Sequence, residues 1–207
     1  MFNICPSCGS YSVARKWIGY SNPFDLYACP SCAHVQEIYR ASLTVVTGPA
    51  GVGKSTACRL LAHGQNGILC VDGDILFVDQ FRHHHRGMYE DFVLRACKNF
   101  AQVRSPVVLF GTLFPARVIE SPEADYFRKV LFIALTSESD VLRKRLKARP
   151  IWRESDDVFI EEQLAVNADL RSGSVPGIDV VLQSEIMPLN DVVSTILGEM
   201  LNHGMIN

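Results

Sequence analysis

Short apolar runs alternate with longer amphipathic stretches through most of this chain. The runs at 43–47, 68–71, 107–110, 130–135 and 178–182 have the length of strands. They are continuous rather than alternating, which suits strands of a parallel sheet covered on both faces. The stretches between them repeat apolar residues at three and four. Phe92, Val93, Ala96, Cys97 and Phe100 mark a helix over 89–102, and Ile160, Leu164 and Ala168 mark one over 157–171. Leu189, Val192, Val193, Ile196, Leu197 and Met200 mark a closing helix, and Ser137-x-x-Asp140 resembles a capping box opening a helix that runs to about Arg149. Strands alternating with helices predict a three-layer α/β/α sandwich around a five-stranded parallel sheet, with right-handed crossovers. Residues 1–40 lack this rhythm. There, 13–18 and 25–28 read as a hairpin bent around Ser21-Asn22-Pro23, so we divide the chain into a small β unit, 1–40, and a larger α/β unit, 41–207.

Composition narrows the classes. The chain has 207 residues, 48% of them hydrophobic, and a net charge of -2. That is enough apolar material for a core, and the charge argues against a protein that coats polyanions. No apolar run approaches the ~18 residues of a membrane span, and the polar start lacks a signal-peptide core. We therefore expect a cytoplasmic protein, in which the seven cysteines do not imply disulfides.

Four of those cysteines are arranged in pairs. Cys5-Pro6-Ser7-Cys8 and Cys29-Pro30-Ser31-Cys32 are two C-x-x-C knuckles with the spacing of a four-cysteine zinc site. Each knuckle is a tight turn that aims two thiolates at one point. A closed site of four thiolates leaves no position for substrate, so the zinc is expected to be structural. Because little linker separates this ribbon from the first core strand, it should begin at the sheet end opposite that strand's carboxyl end, roughly 16–20 Å away.

The densest chemical signal follows that strand. Gly48-Pro49-Ala50-Gly51-Val52-Gly53-Lys54-Ser55-Thr56 fits G-x-x-x-x-G-K-[ST], with a strand before it and a helix after it. Backbone N–H groups of such a loop and the positive helix end make an anion cradle. Lys54 reaches the β/γ-phosphates and the Ser55 hydroxyl ligates magnesium.

Asp72-Gly73-Asp74 ends the next strand, where α/β proteins bind ligands. Alternate residues of an extended segment share a side, so Asp72 and Asp74 are expected to converge, one on magnesium-bound water and one on a substrate proton. The strand at 107–110 ends in Gly111-Thr112 rather than an acid, which leaves the acidic duty to the Asp72/Asp74 pair. His83-His84-His85 reads as a solvated turn or lid segment. Arg145 and Arg149 are four apart, and with Arg153 they are candidates to neutralise a transferring phosphoryl group. Arg171 either returns to the phosphates or complements a helix end.

Together, the glycine loop, the D-x-D after strand two, the R-x-x-x-R after strand four and the terminal helix resemble the nucleoside/nucleotide kinase-like P-loop kinases. Shikimate, gluconate and adenylate kinase belong to that group. The resemblance covers about residues 42–202. The segments 107–112 and 149–153 look most like an uncharacterised bacterial branch often labelled broad-specificity nucleoside or nucleotide kinase. It implies sheet order 2-3-1-4-5, with ATP and magnesium on Gly48, Gly51, Gly53, Lys54, Ser55 and Thr56. It further implies Asp72 and Asp74 facing magnesium and acceptor, Arg145 the adenine and Arg149 the transferred phosphate. Two departures stand out: the acceptor segment after strand three is only Gly111-Thr112, and no long lid is visible.

The expected activity is ATP-dependent phosphoryl transfer to a hydroxyl or phosphate of a small acceptor, with Asp74 as base. Two alternatives carry their own signatures. A polynucleotide-end kinase would grip a strand with a basic, aromatic ribbon face around Arg15, Lys16, Trp17 and Tyr20. A non-catalytic ATP-binding switch would bind nucleotide without turnover.

Overall fold

A computed structural model describes residues 3–64, 67–77, 88–150 and 155–206. Three antiparallel strands come first: β1 (Lys16–Ser21), β2 (Phe24–Ala28) and β3 (Val35–Tyr39), in order β1-β2-β3. The main sheet is built from β4 (Ser42–Thr47), β5 (Leu69–Asp72), β6 (Val107–Phe110), β7 (Lys129–Thr136) and β8 (Val180–Gln183). All its pairs are parallel and the order is β5-β6-β4-β7-β8, which is 2-3-1-4-5 counted along this sheet. The helices are α1 (Lys54–Gly64), α2 (Met88–Phe100), α3 (Pro115–Glu120), α4 (Ser139–Lys147), α5 (Asp157–Ser172) and α6 (Leu189–Asn202).

The strand alternation sorts side chains into two cores. Val46, Val108 and Phe110 face a cluster shared with Leu61 of α1, Leu142 of α4, Ile160 of α5 and Ile196 of α6. Leu43, Val45, Val107 and Leu109 face Val93, Leu94 and Cys97 of α2 and Val118 of α3. Because both faces are covered, β6 is apolar at every position and β4 departs from this only at Ser42, Thr44 and Thr47; each buried aliphatic side chain contributes about 1.5–3 kcal/mol. Among the described residues no helix is long and apolar enough to cross a membrane.

Several local expectations shift. The hairpin gains a third strand, β3, and its first strand starts at Lys16 rather than Val13. The helix α3 carries Pro115 at its first turn, where a missing N–H costs nothing. The capping box at α4 does not form: Glu138 is the cap residue and makes no side-chain cap bond, while the Ser137 N–H donates to Asn167 Oδ1 at 2.9 Å. On α5, Ala168 is exposed, and the buried stripe runs through Ile160, Leu164, Asn167 and Leu170.

The β1-β2-β3 unit docks on α2 and on the segment 121–128, at the amino ends of the parallel strands. Tyr27, Ile38 and Tyr126 form a small apolar core, with the two tyrosine rings 5.1 Å apart. The Tyr126 hydroxyl donates to Val13 O at 2.7 Å. Beside it Lys98, 1% exposed, forms an ion pair with Glu123, and Asn3 donates to Glu123 Oε1 at 3.1 Å. Arg95 Nε reaches the same carboxylate at 2.8 Å. Gln102 both accepts from Tyr39 N at 2.9 Å and donates to Tyr39 O at 3.0 Å, continuing the edge of β3.

Candidate active site

The loop between β4 and α1 owes its path to glycines. Gly48 has φ 147°, and a Cβ there would stand 2.3 Å from the Leu135 carbonyl oxygen of β7. Gly51, at φ 86°, lies on Leu142 and Leu146 of α4. Both positions need a residue without a Cβ, one for backbone approach and one for conformation. Gly53 O then accepts from Thr56 N and Ala57 N at 3.1 and 2.9 Å, which starts α1 with Lys54 at its first position.

Lys54 is buried, 6% exposed, and its ammonium donates to Gly48 O at 2.7 Å, Pro49 O at 2.9 Å and Thr112 Oγ1 at 3.3 Å. Burial pushes its pKa from 10.5 down to about 8. The negative charges of Asp74 and Asp72 oppose that shift, and the Arg149 guanidinium adds to it. Lys54, both aspartates and Arg149 are therefore one electrostatic group. The loop itself is braced from α5: Ala50 N donates to Gln163 Oε1 at 2.7 Å. Pro49 and Val52 are buried, whereas Ser55 is exposed and Thr56 half-buried at the open end of the loop.

Asp72 and Asp74 both act electrostatically on Lys54, but they do not lie on one extended segment. The strand ends at Asp72, and Gly73–Leu76 is a 3-10 turn capped by Asp72, whose Oδ1 accepts from Asp74 N at 3.2 Å. Asp72 is half-buried and Asp74 exposed. Tyr89 of α2 stands behind them. Its hydroxyl would lie 2.7 Å from a Cβ on Gly73, and burial, reinforced by Asp74 and Asp72, raises its pKa. The Tyr89 ring meets Phe77 edge-on at 5.1 Å. Thr112 donates to Gly48 O at 3.0 Å, tying the end of β6 to the loop.

The arginines divide. Arg145 is exposed on α4; that helix ends at Lys147, so Arg149 lies beyond the cap and not on the same helical face. Arg149 reaches Ser155 Oγ at 3.5 Å and lies 5.9 Å from the Phe159 ring centre. Arg171 is engaged elsewhere, with Glu185 at 2.9 Å and Glu138 at 3.5 Å. Arg153 and His83-His84-His85 lie outside the described residues. Sequence reasoning missed Gln163 and Tyr89. Neither belongs to a motif, and each reaches the site from a helix remote in sequence.

The four knuckle cysteines form a second constellation. Their sulfurs all lie within 4.8 Å of one another, with Cys5–Cys32 at 3.6 Å and Cys8–Cys29 at 3.8 Å. A tetrahedron with arms of ~2.3 Å has edges of about 3.8 Å, so the set fits zinc. The two turns are copies of each other: Gly9 N donates to Cys5 O and Ala33 N to Cys29 O, both at 2.9 Å, with φ 71° and 58°. Ser10 Oγ sits 3.1 Å from Cys8 Sγ and 3.3 Å from Cys29 Sγ, and it lowers the Cys29 pKa to about 5. The Cys29 sulfur is thereby favoured as thiolate, whereas Cys32 moves the other way, to about 11, where a backbone hydrogen bond at His34 is outweighed by Cys8 and burial.

Fold and loop together define a P-loop nucleotide-binding protein. A family model described as an AAA domain matches residues 45–162, and the chain belongs to that family. No curated protein matches the sequence. Among solved structures, a sugar kinase from Janibacter sp. HTCC2649 superposes with TM-score 0.60 at 16% identity, over 76% of this chain and 93% of that one. The tunicamycin resistance protein of Deinococcus radiodurans gives 0.56 at 18%, over 78% and 96%. A gluconokinase from Sinorhizobium meliloti 1021 gives 0.54 at 21%, over 79% and 97%. At such identities the likeness is one of fold.

Proposed function

We propose that this chain is an ATP-dependent small-molecule kinase, with a nucleoside or nucleotide as acceptor. The observation that carries the reading is Lys54: a buried ammonium, resting on loop carbonyls, within electrostatic reach of two carboxylates and an arginine. Residues 41–207 form the phosphotransferase unit and residues 1–40 its zinc ribbon. A reducing cytoplasm would keep the thiols available for zinc.

ATP lies with its phosphates on the amides of 48–56, and Arg145 faces the adenine. Lys54 leaves the Gly48 and Pro49 carbonyls for the β/γ-oxygens, whose charge restores the proton that burial had loosened. Ser55 and Asp72 would hold magnesium, which neutralises charge on those oxygens when bound. Asp74, the more exposed carboxylate, takes the proton from the acceptor hydroxyl as its oxygen bonds to the γ-phosphorus. The bond from that phosphorus to the bridging oxygen breaks and ADP leaves. Arg149, with Arg153 beside it in sequence, neutralises the charge spread over the transferring group. When the acceptor is a phosphate oxygen, no proton has to be removed and Asp74 has no base role.

Lys54→Ala should lower ATP-dependent turnover by about 10³ or more while leaving the fold intact. Asp74→Asn should lower kcat by about 10²–10⁴ with KM for ATP little changed. An ATP-consumption screen across nucleosides, nucleotides, sugars and shikimate-like acids supplies the substrate for both. Full turnover in the Lys54 variant would overturn the assignment.

A further inference from the structure

The seam between the β1-β2-β3 unit and the parallel sheet holds two open cavities, about 390 and 500 Å³, which share Arg40 as a wall. We propose that this seam is a binding groove for single-stranded nucleic acid, separate from the phosphate loop.

Pairing register explains what the groove displays. Trp17 lies opposite Tyr27, and Tyr20 opposite Asp25, across β1 and β2. Directly opposed residues share a face, so Trp17 and Tyr20 stand on the side that also carries Tyr27, the side packed on Tyr126. They flank that contact instead of entering it and remain 55% and 64% exposed. Trp17 is held in place by donating Nε1–H to Asp25 Oδ1 at 3.0 Å. Large exposed aromatic rings, one lining each of two cavities that meet at Arg40, are surfaces on which successive bases stack.

The opposite wall is basic. Arg104 and Arg128 line the larger cavity, both exposed, and the Arg104 guanidinium lies 5.0 Å from the Phe24 ring centre. Arg40 spans both cavities, with Asp25 Oδ2 at 3.4 Å and Phe127 O at 2.9 Å as its partners. Arg15 lies beneath the smaller cavity. It is 8% exposed, and its guanidinium nitrogens have no hydrogen-bond partner among the described residues. Four arginines therefore stand against two aspartates, Asp25 and Asp125, in a chain whose net charge is -2. Local excess of cation over anion, interleaved with aromatic faces, is the complement of a phosphate-linked strand of unpaired bases. Each cavity has its own exposed aromatic ring, Tyr20 in the larger and Trp17 in the smaller, an arrangement that a linked strand would use and a single mononucleotide would not.

The groove lies at the wrong end of the sheet for the phosphate loop. Ser42, Pro106 and Arg128 line it at the amino ends of the strands, whereas Gly48 follows the carboxyl end of β4. A six-residue strand separates them by about 20 Å. A strand seated in the seam thus tethers the protein rather than filling its nucleotide site.

The test uses the full-length, zinc-loaded protein and fluorescence anisotropy with labelled oligo-dT and oligo-rU of about ten nucleotides, the span of such sites. Binding should persist in saturating ATP. It should weaken at least tenfold in Arg104→Ala/Arg128→Ala, with the slope of log K against log salt falling by about 1.4, two contacts' worth. Trp17→Ala should weaken it about tenfold and leave zinc content unchanged, and the arginine variant should keep wild-type ATP turnover. No oligonucleotide binding would sink the proposal. So would loss of binding on adding ATP, which would assign it to the phosphate loop. Equal affinity for a mononucleotide would do the same by making the seam a small-effector site, and equal affinity for duplex would remove the role of the stacking faces.

Discussion

Lys54 shows how one side chain carries both a cost and a capacity. Burial takes its pKa from 10.5 to about 8, on the order of 3 kcal/mol against the folded, nucleotide-free state when the amine is charged. Between about pH 8 and 10.5 the folded chain binds fewer protons than the unfolded one, so this contribution to stability rises with pH across that window. Below pH 8 both states are protonated and the cost is present in full. A bound triphosphate returns the pKa toward its ordinary range. At pH 9, ATP binding should therefore take up about one proton, read by calorimetry in buffers of different ionisation enthalpy. Uptake near zero would remove Lys54 from the phosphate site. Gly73 makes a second residue-scale prediction. A Cβ there would fall 2.7 Å from the Tyr89 hydroxyl and 3.1 Å from Phe110 O. Gly73→Ala should thus destabilise the fold by about 1–3 kcal/mol and displace the Asp72/Asp74 turn, with a loss of kcat out of proportion to the change in melting temperature.

At the scale of elements, the twin knuckles are the most constrained pieces. Gly9 and Ala33 occupy the same place in the two turns, both left-handed, but only one is a glycine. An L-residue there costs roughly 1–2 kcal/mol. Ala33→Gly should accordingly raise the melting temperature of the zinc-loaded protein, and Gly9→Ala should lower it. An inverted order would contradict the observed backbone. Removing zinc with a chelator should expose the amides of β1, β2 and β3 to hydrogen exchange while ATP binding persists, because the phosphate loop lies at the far end of the sheet.

At the scale of the whole molecule, a charged cluster around the buried Lys98–Glu123 pair helps to join the two units. Lys98, Glu123, Arg95 and Asn3 link α2, the segment before β7 and the ribbon. Deleting one partner of a buried ion pair costs about 3–5 kcal/mol, whereas apolar replacement of both is far milder. Lys98→Met should hence destabilise strongly in chemical denaturation, and adding Glu123→Leu should recover part of the loss. Additive losses would show that the pair is not coupled.

What could be read along the chain was whatever is encoded by near neighbours. Apolar period distinguished strands from helices, the glycine loop announced a P-loop, and the cysteine spacing announced a cluster of four sulfurs. These depend on residues a turn or two apart, so the chain order carries them. The β3 strand was missed, since Val35-Gln36-Glu37-Ile38-Tyr39 has no clean alternation and is assigned by its partner β2. Other features joined residues far apart: Gln163 on Ala50, Asn167 on Ser137, Asn3 on Glu123, and the seam between Trp17 and Arg128. No local pattern encodes them, because each pairing exists only after the sheet has stacked its layers and brought distant backbone into reach. The Asp72/Asp74 pair lies between the two cases. Its residues were evident from the chain, but Asp74 sits in a 3-10 turn that Asp72 caps beside Tyr89, not on the extended strand that alternation assumed.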